Sequence, residues 1–323
     1  MPGSPTRICL FAQYHPANRL RPPLLAYLRA LRAAGYHVYL AASGTAPPPA
    51  ADQAALADTG ATLLCRPNAG LDFGAWQFLI AQGCADHAEH ILLANDSVFG
   101  PFHPLPPILA RMQQHDVWGM IESEQRGWHL QSWFLHFTGD AFRHPAIQAV
   151  FAQDFAAMNK EDVIGHGELA LGHALRTAGL RCGAVIRAAD ATWFARRHRI
   201  NMMHLDWRHN LRDRGLPFVK AELLRDNPMR LPWAAAWPQA LREAGADIDQ
   251  ISAYLKDYSA QPGPGRYRTP VKPISIRLAL GYTLATHDRA LALRFLRPRN
   301  LRLTMGPEKL RSPSASPSGT GPG

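Results

Sequence analysis

Cysteine is scarce in this chain. The four thiols among 323 residues, Cys9, Cys65, Cys84 and Cys182, are spaced too irregularly for a disulfide framework or a Cys-rich zinc site. Long apolar runs are missing too. No stretch reaches the ~18 to 20 uninterrupted apolar residues of a membrane-spanning helix. The short apolar run after Arg7 is interrupted by Gln13, His15 and Asn18, so no signal-peptide core is expected. These absences lead us to expect reduced thiols and a cytosolic protein. Several catalytic signatures are absent as well: the G-x-S-x-G elbow, the G-x-x-x-x-G-K-[ST] phosphate loop, G-x-G-x-x-G after the first strand, and H-E-x-x-H. Serine hydrolase, P-loop NTPase, Rossmann dehydrogenase and zincin are set aside. His166-Gly167-Glu168 matches the H-x-E of zinc deaminases, but the P-C-x-x-C that must accompany it is missing.

What is present is a basic chain with a balanced body. Of 35 Lys+Arg and 25 Asp+Glu, residues 1–258 hold 24 and 23, while residues 259–323 hold 11 and 2, so nearly all of the net +10 lies in the last fifth. That segment opens on Gln261-Pro262-Gly263-Pro264-Gly265 and closes on the Ser/Pro-rich run 312–319, compositions that do not build a core. We therefore divide the chain into a domain over 1–258 and a tail over 259–323. Within the tail, 274–296 mixes Ile276, Leu278, Leu280, Tyr282, Leu284, Leu291, Leu293 and Phe295 with Arg277, Arg289 and Arg294. Two readings fit: a basic amphipathic helix on an anionic membrane, at the inner face of the plasma membrane, or a terminal helix packed on the body. Nucleic acid is not expected as a partner, since neither an aromatic ladder nor zinc spacing accompanies the charge.

Hydropathy periodicity predicts a strand at Arg7–Gln13, a helix carrying Leu20, Leu24, Leu28 and Leu31, a strand at Tyr36–Ala42, a short Ala-rich helix and a strand at Ala61–Cys65. The alternation continues with a helix over 73–82, a strand over 90–94, a helix over 107–114 and strands at 117–121 and 130–137. Helices at 144–157 and 167–178 and a strand at 180–186 follow. The pattern predicts an α/β fold with a mostly parallel sheet flanked by helices, a helical C-terminal region and a basic tail. Ligands of such sheets sit beyond the carboxyl ends of the strands. Three segments fall there. Arg66–Gly74 offers Gly70 and Gly74 for close backbone approach and Asn68 and Asp72 for hydroxyl groups, although a plain turn fits equally. Asn95-Asp96-Ser97 ends an apolar strand with one carboxylate, suited to a divalent cation or to an Asx turn. His166–Glu168 opens the helix predicted over 167–178.

The ordered runs NAGLDFGAW, LLANDSVFGP, VWGMIES, HLQSWFLHF, VIGHGELALGHALRTAGLRCGAV and PFVKAELLRDNP resemble the rhamnan synthesis F family, glycosyltransferase-like proteins of bacterial rhamnose-containing polysaccharide assembly. The resemblance extends from about Ile8 to Pro228 and leaves out the tail. It implies a GT-A-like, Rossmann-type nucleotide-sugar fold. It also implies transfer of a deoxyhexose, L-rhamnose, from a nucleoside-diphosphate donor to a surface polysaccharide or lipid-linked glycan, with inversion. On that resemblance, Asp96 meets metal (Mg or Mn) and diphosphate, and Glu168 is the catalytic base. Asn68, Asp72 and Gly70 lie on the donor side with Asn95 and Ser97, and His204 is a further metal or phosphate ligand. Gln131, Glu122 and Ser132 are candidates for sugar contact, Lys220 and Arg225 for phosphate, and Trp118, Trp128 and Trp133 for an acceptor-stacking wall or for core packing. Many GT-A enzymes carry D-x-D where this chain has a single carboxylate. The competing class is a non-catalytic glycan- or nucleotide-binding protein on a degenerate GT-A fold.

Overall fold

The computed structural model describes residues 6–260 and 273–286, without the side chains of Ile276, Leu284 and Ala285. The first half alternates β1 (Arg7–Tyr14), α1 (Pro22–Ala33), β2 (His37–Ser43), α2 (Ala50–Ala57), β3 (Thr62–Arg66), α3 (Leu71–Ala81) and β4 (His90–Asn95). There follow β5 (Val98–Phe99), α4 (Pro106–Met112), β6 (Val117–Ser123), β7 (His129–Leu130) and β8 (Phe134–Thr138). The sheet order is β3-β2-β1-β4-β8-β6-β7. The β3, β2, β1 and β4 pairings are parallel, and β8 runs antiparallel between β4 and β6. This is the mostly parallel sheet flanked by helices that the sequence pattern predicts.

β1 shows why the central strands read as continuous apolar runs. Cys9 and Phe11 point into one layer with Leu24, Leu28 and Leu31 of α1, while Ile8, Leu10 and Ala12 point into the other with Phe73, Trp76 and Leu79 of α3. A strand covered on both faces has no polar side to alternate with.

After β8 come α5 (Gly139–Arg143), α6 (Pro145–Phe151), α7 (Lys160–Val163), a π turn at Ile164–Leu169 that continues into α8 (Ala170–Thr177), and β9 (Cys182–Ile186), which joins β6 in parallel. Three expectations change here. The strand expected over 130–137 breaks at residues 131–133, because its two halves pair with β6 in different registers: Leu130 lies opposite Glu122 and Leu135 opposite Gly119, two residues out of step, and Phe134–Thr138 also pairs with β4. The helix expected over 144–157 stops at Phe151. There the Gln77 amide donates to the carbonyls of Phe151 (2.8 Å) and Gln153 (2.7 Å) in place of a further turn. The helix expected to begin at Gly167 begins seven residues earlier. Asn159 caps it, accepting from the N–H groups of Glu161 and Asp162.

The remaining chain is helical: α9 (Trp193–His198), α10 (Met202–Leu205), α11 (Trp207–Arg212), the two-residue β10 (Val219–Lys220) paired with β5, α12 (Ala221–Arg225), α13 (Trp237–Glu243), α14 (Ile248–Ala260) and α15 (Ile276–Ala285). The boundary drawn at residue 258 falls inside α14. The segment drawn as tail returns to the body: Ile274 N–H donates to Met229 O at 2.8 Å, Ala279, Tyr282 and Thr283 are buried, and Tyr282 stacks on Trp233 at 4.9 Å. The described part of the segment expected over 274–296 is thus a packed helix; residues 287–296 lie outside the described residues. No described helix is long and apolar enough to cross a membrane.

Candidate active site

The carboxyl ends of β1 and β4 lie side by side, with Ala12 opposite Asn95, so the residues just beyond them share one edge. Asp96 follows β4 directly. Its Oδ2 accepts the Tyr14 N–H at 3.1 Å. Burial pushes its carboxyl up to about 7, against the pull of the backbone N–H donors and the Arg225 guanidinium, and nearby Asp72 raises it further.

Asp72 sits in the first turn of α3, after two consecutive left-handed residues, Gly70 (φ 70°) and Leu71 (φ 53°). Asn95 bridges it to the loop after β4. Asn95 Nδ2 donates to Asp72 Oδ2 at 2.9 Å, and Asn95 Oδ1 accepts the Ser97 N–H (3.1 Å) and hydroxyl (2.7 Å). The Asp72 carboxyl is raised by burial first and by Glu168 second. Asp72 therefore interacts with both Asp96 and Glu168, and the three carboxylates form one electrostatic group. Gly70 has another role than the one expected. A Cβ there would lie 2.9 Å from the Phe155 backbone, so the close approach it permits is to Phe155. Asn68 is exposed. Its loop is laced by Arg66, which was not anticipated as a site residue: the buried guanidinium donates to Ser43 Oγ (3.1 Å) and to the Ala69 carbonyl.

Glu168 lies within the π turn, in the middle of the helix and away from any N-terminus. Its Oε1 accepts the Ser132 N–H at 2.7 Å. The π turn supplies the extra residue that changes the direction of side chains along a helix, a distortion often found at functional sites. Gly167 allows it: a Cβ there would lie 2.9 Å from the Phe73 ring. Lys220 completes the group. Its Nζ is 3.3 Å from Ser97 Oγ and 5.7 Å from the centroid of the Trp133 ring, and its charge feels Glu168, Glu222 and Asp72.

Other expected residues lie elsewhere or serve the fold. His204 is buried, with Nε2 3.7 Å from Glu222 Oε2, and burial lowers it to about 4. The charged neighbours of Asp96 are Arg225 and Asp72, and those of His204 are Glu222 and Lys220. Among the described residues no group of three or more His, Cys, Asp or Glu could hold a metal ion. Gln131 is buried, accepting from Trp133 Nε1 (2.9 Å) and donating to Asn201 Oδ1 (3.2 Å). It reaches a cavity of about 70 Å³ that Glu122, Asn201, Arg196 and Arg199 also line. Trp118 and Trp133 are 1% exposed and belong to the core, not to a stacking wall, while Trp128 is half-buried and donates to Glu122.

Aromatic residues near the site come instead from α14. Tyr254 packs edge-on against Phe99 (5.3 Å) and lines, with Asp96, a narrow cavity of about 20 Å³, and the Arg225 guanidinium lies 4.5 Å over the Tyr258 ring. The i, i+4 spacing of the two tyrosines was the available signal.

A mostly parallel sheet with acidic and basic side chains gathered beyond its strand ends is an α/β fold of the kind that binds its ligand at that edge. The family model described as rhamnan synthesis protein F matches residues 48–231, more than half of the sequence, and the chain belongs to that family. Virulence protein VirA of Vibrio anguillarum is 28% identical over 196 residues, a match spanning 52% of this chain and 63% of that protein; the chain thus covers less than two thirds of that relative's length. Among solved structures, glycosyltransferase GlyE of Streptococcus pneumoniae TIGR4 superimposes with a TM-score of 0.42 at 11% identity, covering 81% of this chain and 66% of GlyE. Galactosyltransferase LgtC, solved with donor and acceptor sugar analogues, gives a TM-score of 0.35 at 12% identity, covering 82% of this chain and 100% of LgtC. At those scores the likeness assigns no activity.

Proposed function

We propose that this protein transfers a deoxyhexose, L-rhamnose by family membership, from a nucleoside-diphosphate donor to a growing bacterial surface polysaccharide or lipid-linked glycan. The observation that carries this reading is the grouping of Asp96, Asp72, Glu168 and Lys220 at the carboxyl edge of the sheet, within a chain of the rhamnan synthesis protein F family. Glu168 takes the proton from the acceptor hydroxyl as that oxygen forms a bond to the anomeric carbon. The bond from that carbon to the diphosphate breaks, and the nucleoside diphosphate leaves with the electron pair. One base and no covalent intermediate give inversion. Lys220 and Arg225 supply positive charge near the strand end, where negative charge gathers on the leaving group. The donor and acceptor act at the inner face of the plasma membrane, where basic residues of the 259–323 segment meet anionic lipid.

The test is release of thymidine diphosphate (dTDP) from dTDP-L-rhamnose in the presence of a rhamnose-containing glycan acceptor. Acceptor-dependent release supports the transferase. Saturable binding of the donor with no release on any acceptor supports the competing reading, a non-catalytic binding protein, which the single carboxylate of Asn95-Asp96-Ser97 favours.

A further inference from the structure

We infer that Lys220 is the cation that holds the donor's diphosphate, so that this site binds a nucleoside diphosphate without a divalent metal ion. The inference rests on the nucleotide-sugar reading above and goes beyond it. The placement of Lys220 is set by backbone rather than by side-chain reach. Residue 220 pairs with Val98 in the β10–β5 ladder, and the next residue, Ala221, donates its N–H to Ser97 O at 2.9 Å. Lys220 is thereby pinned beside the loop that follows β4, where a GT-A-type sheet presents its metal-binding carboxylate. Its ammonium lies against Ser97 Oγ at 3.3 Å and over Trp133, a ring that is itself 1% exposed.

Two features oppose a divalent ion in this place. An ammonium at Ser97 repels a second cation brought to the same loop, and the low local dielectric of a half-buried site strengthens that repulsion. The neutral donors nearby are also engaged: His204 faces Glu222, and Asn95 spends both ends of its amide on Asp72 and Ser97. One feature favours a phosphate. Burial lowers the Lys220 ammonium, and Glu168, Glu222 and Asp72 counter that shift, so acidic groups surround the ammonium in a partly desolvated place. A lysine held this way acts on a phosphate group as a fixed point charge.

The experiment is titration calorimetry of the full chain with dTDP and with thymidine monophosphate, in EDTA and then in Mg²⁺ or Mn²⁺, for wild type, Lys220→Met and Lys220→Arg. The wild type is expected to bind dTDP in EDTA, with an affinity that either metal changes by less than about threefold. Lys220→Met should weaken dTDP by about 10- to 100-fold, as loss of a charged hydrogen bond does, and the monophosphate much less. Lys220→Arg should restore part of the loss, which separates charge from misfolding. Binding of dTDP that requires Mg²⁺ or Mn²⁺ and is indifferent to Lys220→Met overturns the inference and leaves the nucleotide-sugar reading standing. If the wild type binds dTDP under neither condition, both fall.

Discussion

Ser132 and Glu168, from separate parts of the chain, are joined by a backbone N–H to carboxylate hydrogen bond of 2.7 Å. The bond exists because two regular elements give way at the same place. The strand expected over 130–137 opens at residues 131–133, and the helix carrying Glu168 widens into a π turn. A carboxylate anchored by one oxygen keeps the other for an acceptor hydroxyl, which is the arrangement a general base needs.

Glu168→Gln tests that role. The amide oxygen of glutamine still accepts the Ser132 N–H, so the loop and the melting temperature should change little. Proton abstraction should be lost. The expected outcome is a fall in kcat of about 10²- to 10⁴-fold with donor affinity within a fewfold of wild type. A variant that retains more than a tenth of wild-type turnover removes Glu168 from the chemistry.

The Asn95 bridge to Asp72 leads to a prediction about stability. In Asn95→Asp the new carboxylate still accepts from Ser97, but it meets Asp72 Oδ2 where an N–H donor stood at 2.9 Å. Two carboxylates at that distance share a proton at neutral pH. The variant should lie close to wild type at pH 4, where a shared proton is readily supplied, and fall behind it by about 1–3 kcal/mol by pH 8. Urea unfolding at the two pH values measures this, and a deficit that does not grow with pH contradicts it.

Much of this site was legible in the sequence as residue types at strand ends, and little of it as partnerships. The apolar runs at Arg7, Tyr36, Ala61 and His90 marked the parallel strands to within two residues, because strands buried on both faces carry no competing signal. That placed Asp96 beyond β4 and Asp72 at the start of α3. Leu130 to Phe137 looked like one strand because hydrophobicity does not report a shift of register against the neighbouring strand. The sequence starts that helix at Gly167, seven residues late, since a glycine that admits a neighbouring ring and one at a helix end look alike in sequence. His204 and Glu222, 18 positions apart with α11 and β10 between them, meet in a contact that no local spacing encodes.

Asp96 should give the protein a pH signature. Its carboxyl titrates near 7 in the fold and near 3.8 in the unfolded chain. Between those values the folded state holds a proton that the unfolded state has released. The contribution of Asp96 to stability is therefore fully present below about pH 4 and is lost as pH rises through about 7. Asp96→Asn keeps an acceptor for the Tyr14 N–H and removes the titration. The stability of Asp96→Asn relative to wild type should rise between pH 4 and 7 and level off above. Taking the difference between the two proteins cancels the opposing effect of His15 and His136, lowered to about 4 and about 3, which both chains share. On the functional side, dTDP should bind wild type more tightly at pH 6 than at pH 8, since a protonated Asp96 no longer repels the diphosphate. A flat profile for the stability difference would place Asp96 in contact with water instead of beneath the Tyr254 helix.

The two glycines of the π turn separate packing from chain flexibility. At Gly167 an added Cβ would lie 2.9 Å from three atoms of the Phe73 ring. That ring cannot retreat: it is 1% exposed, packs edge-on to Trp76 at 5.1 Å, and lies 5.2 Å from Phe155, centroid to centroid. At Gly165 an added Cβ meets nothing within 4 Å, and its backbone is not in the left-handed region. Gly167→Ala should therefore cost about 1–3 kcal/mol of overpacking and shift the turn away from α3. Gly165→Ala should stay within about 1 kcal/mol of wild type, on the stabilising side, because alanine loses less backbone freedom in a helix. Because Glu168 follows Gly167 directly, the first substitution should lower kcat more than it raises KM, and the second should leave both unchanged. Thermal unfolding and donor kinetics on the pair decide the matter. Equal effects at the two positions would mean that the π turn is held by the helix itself and not by the Phe73 ring.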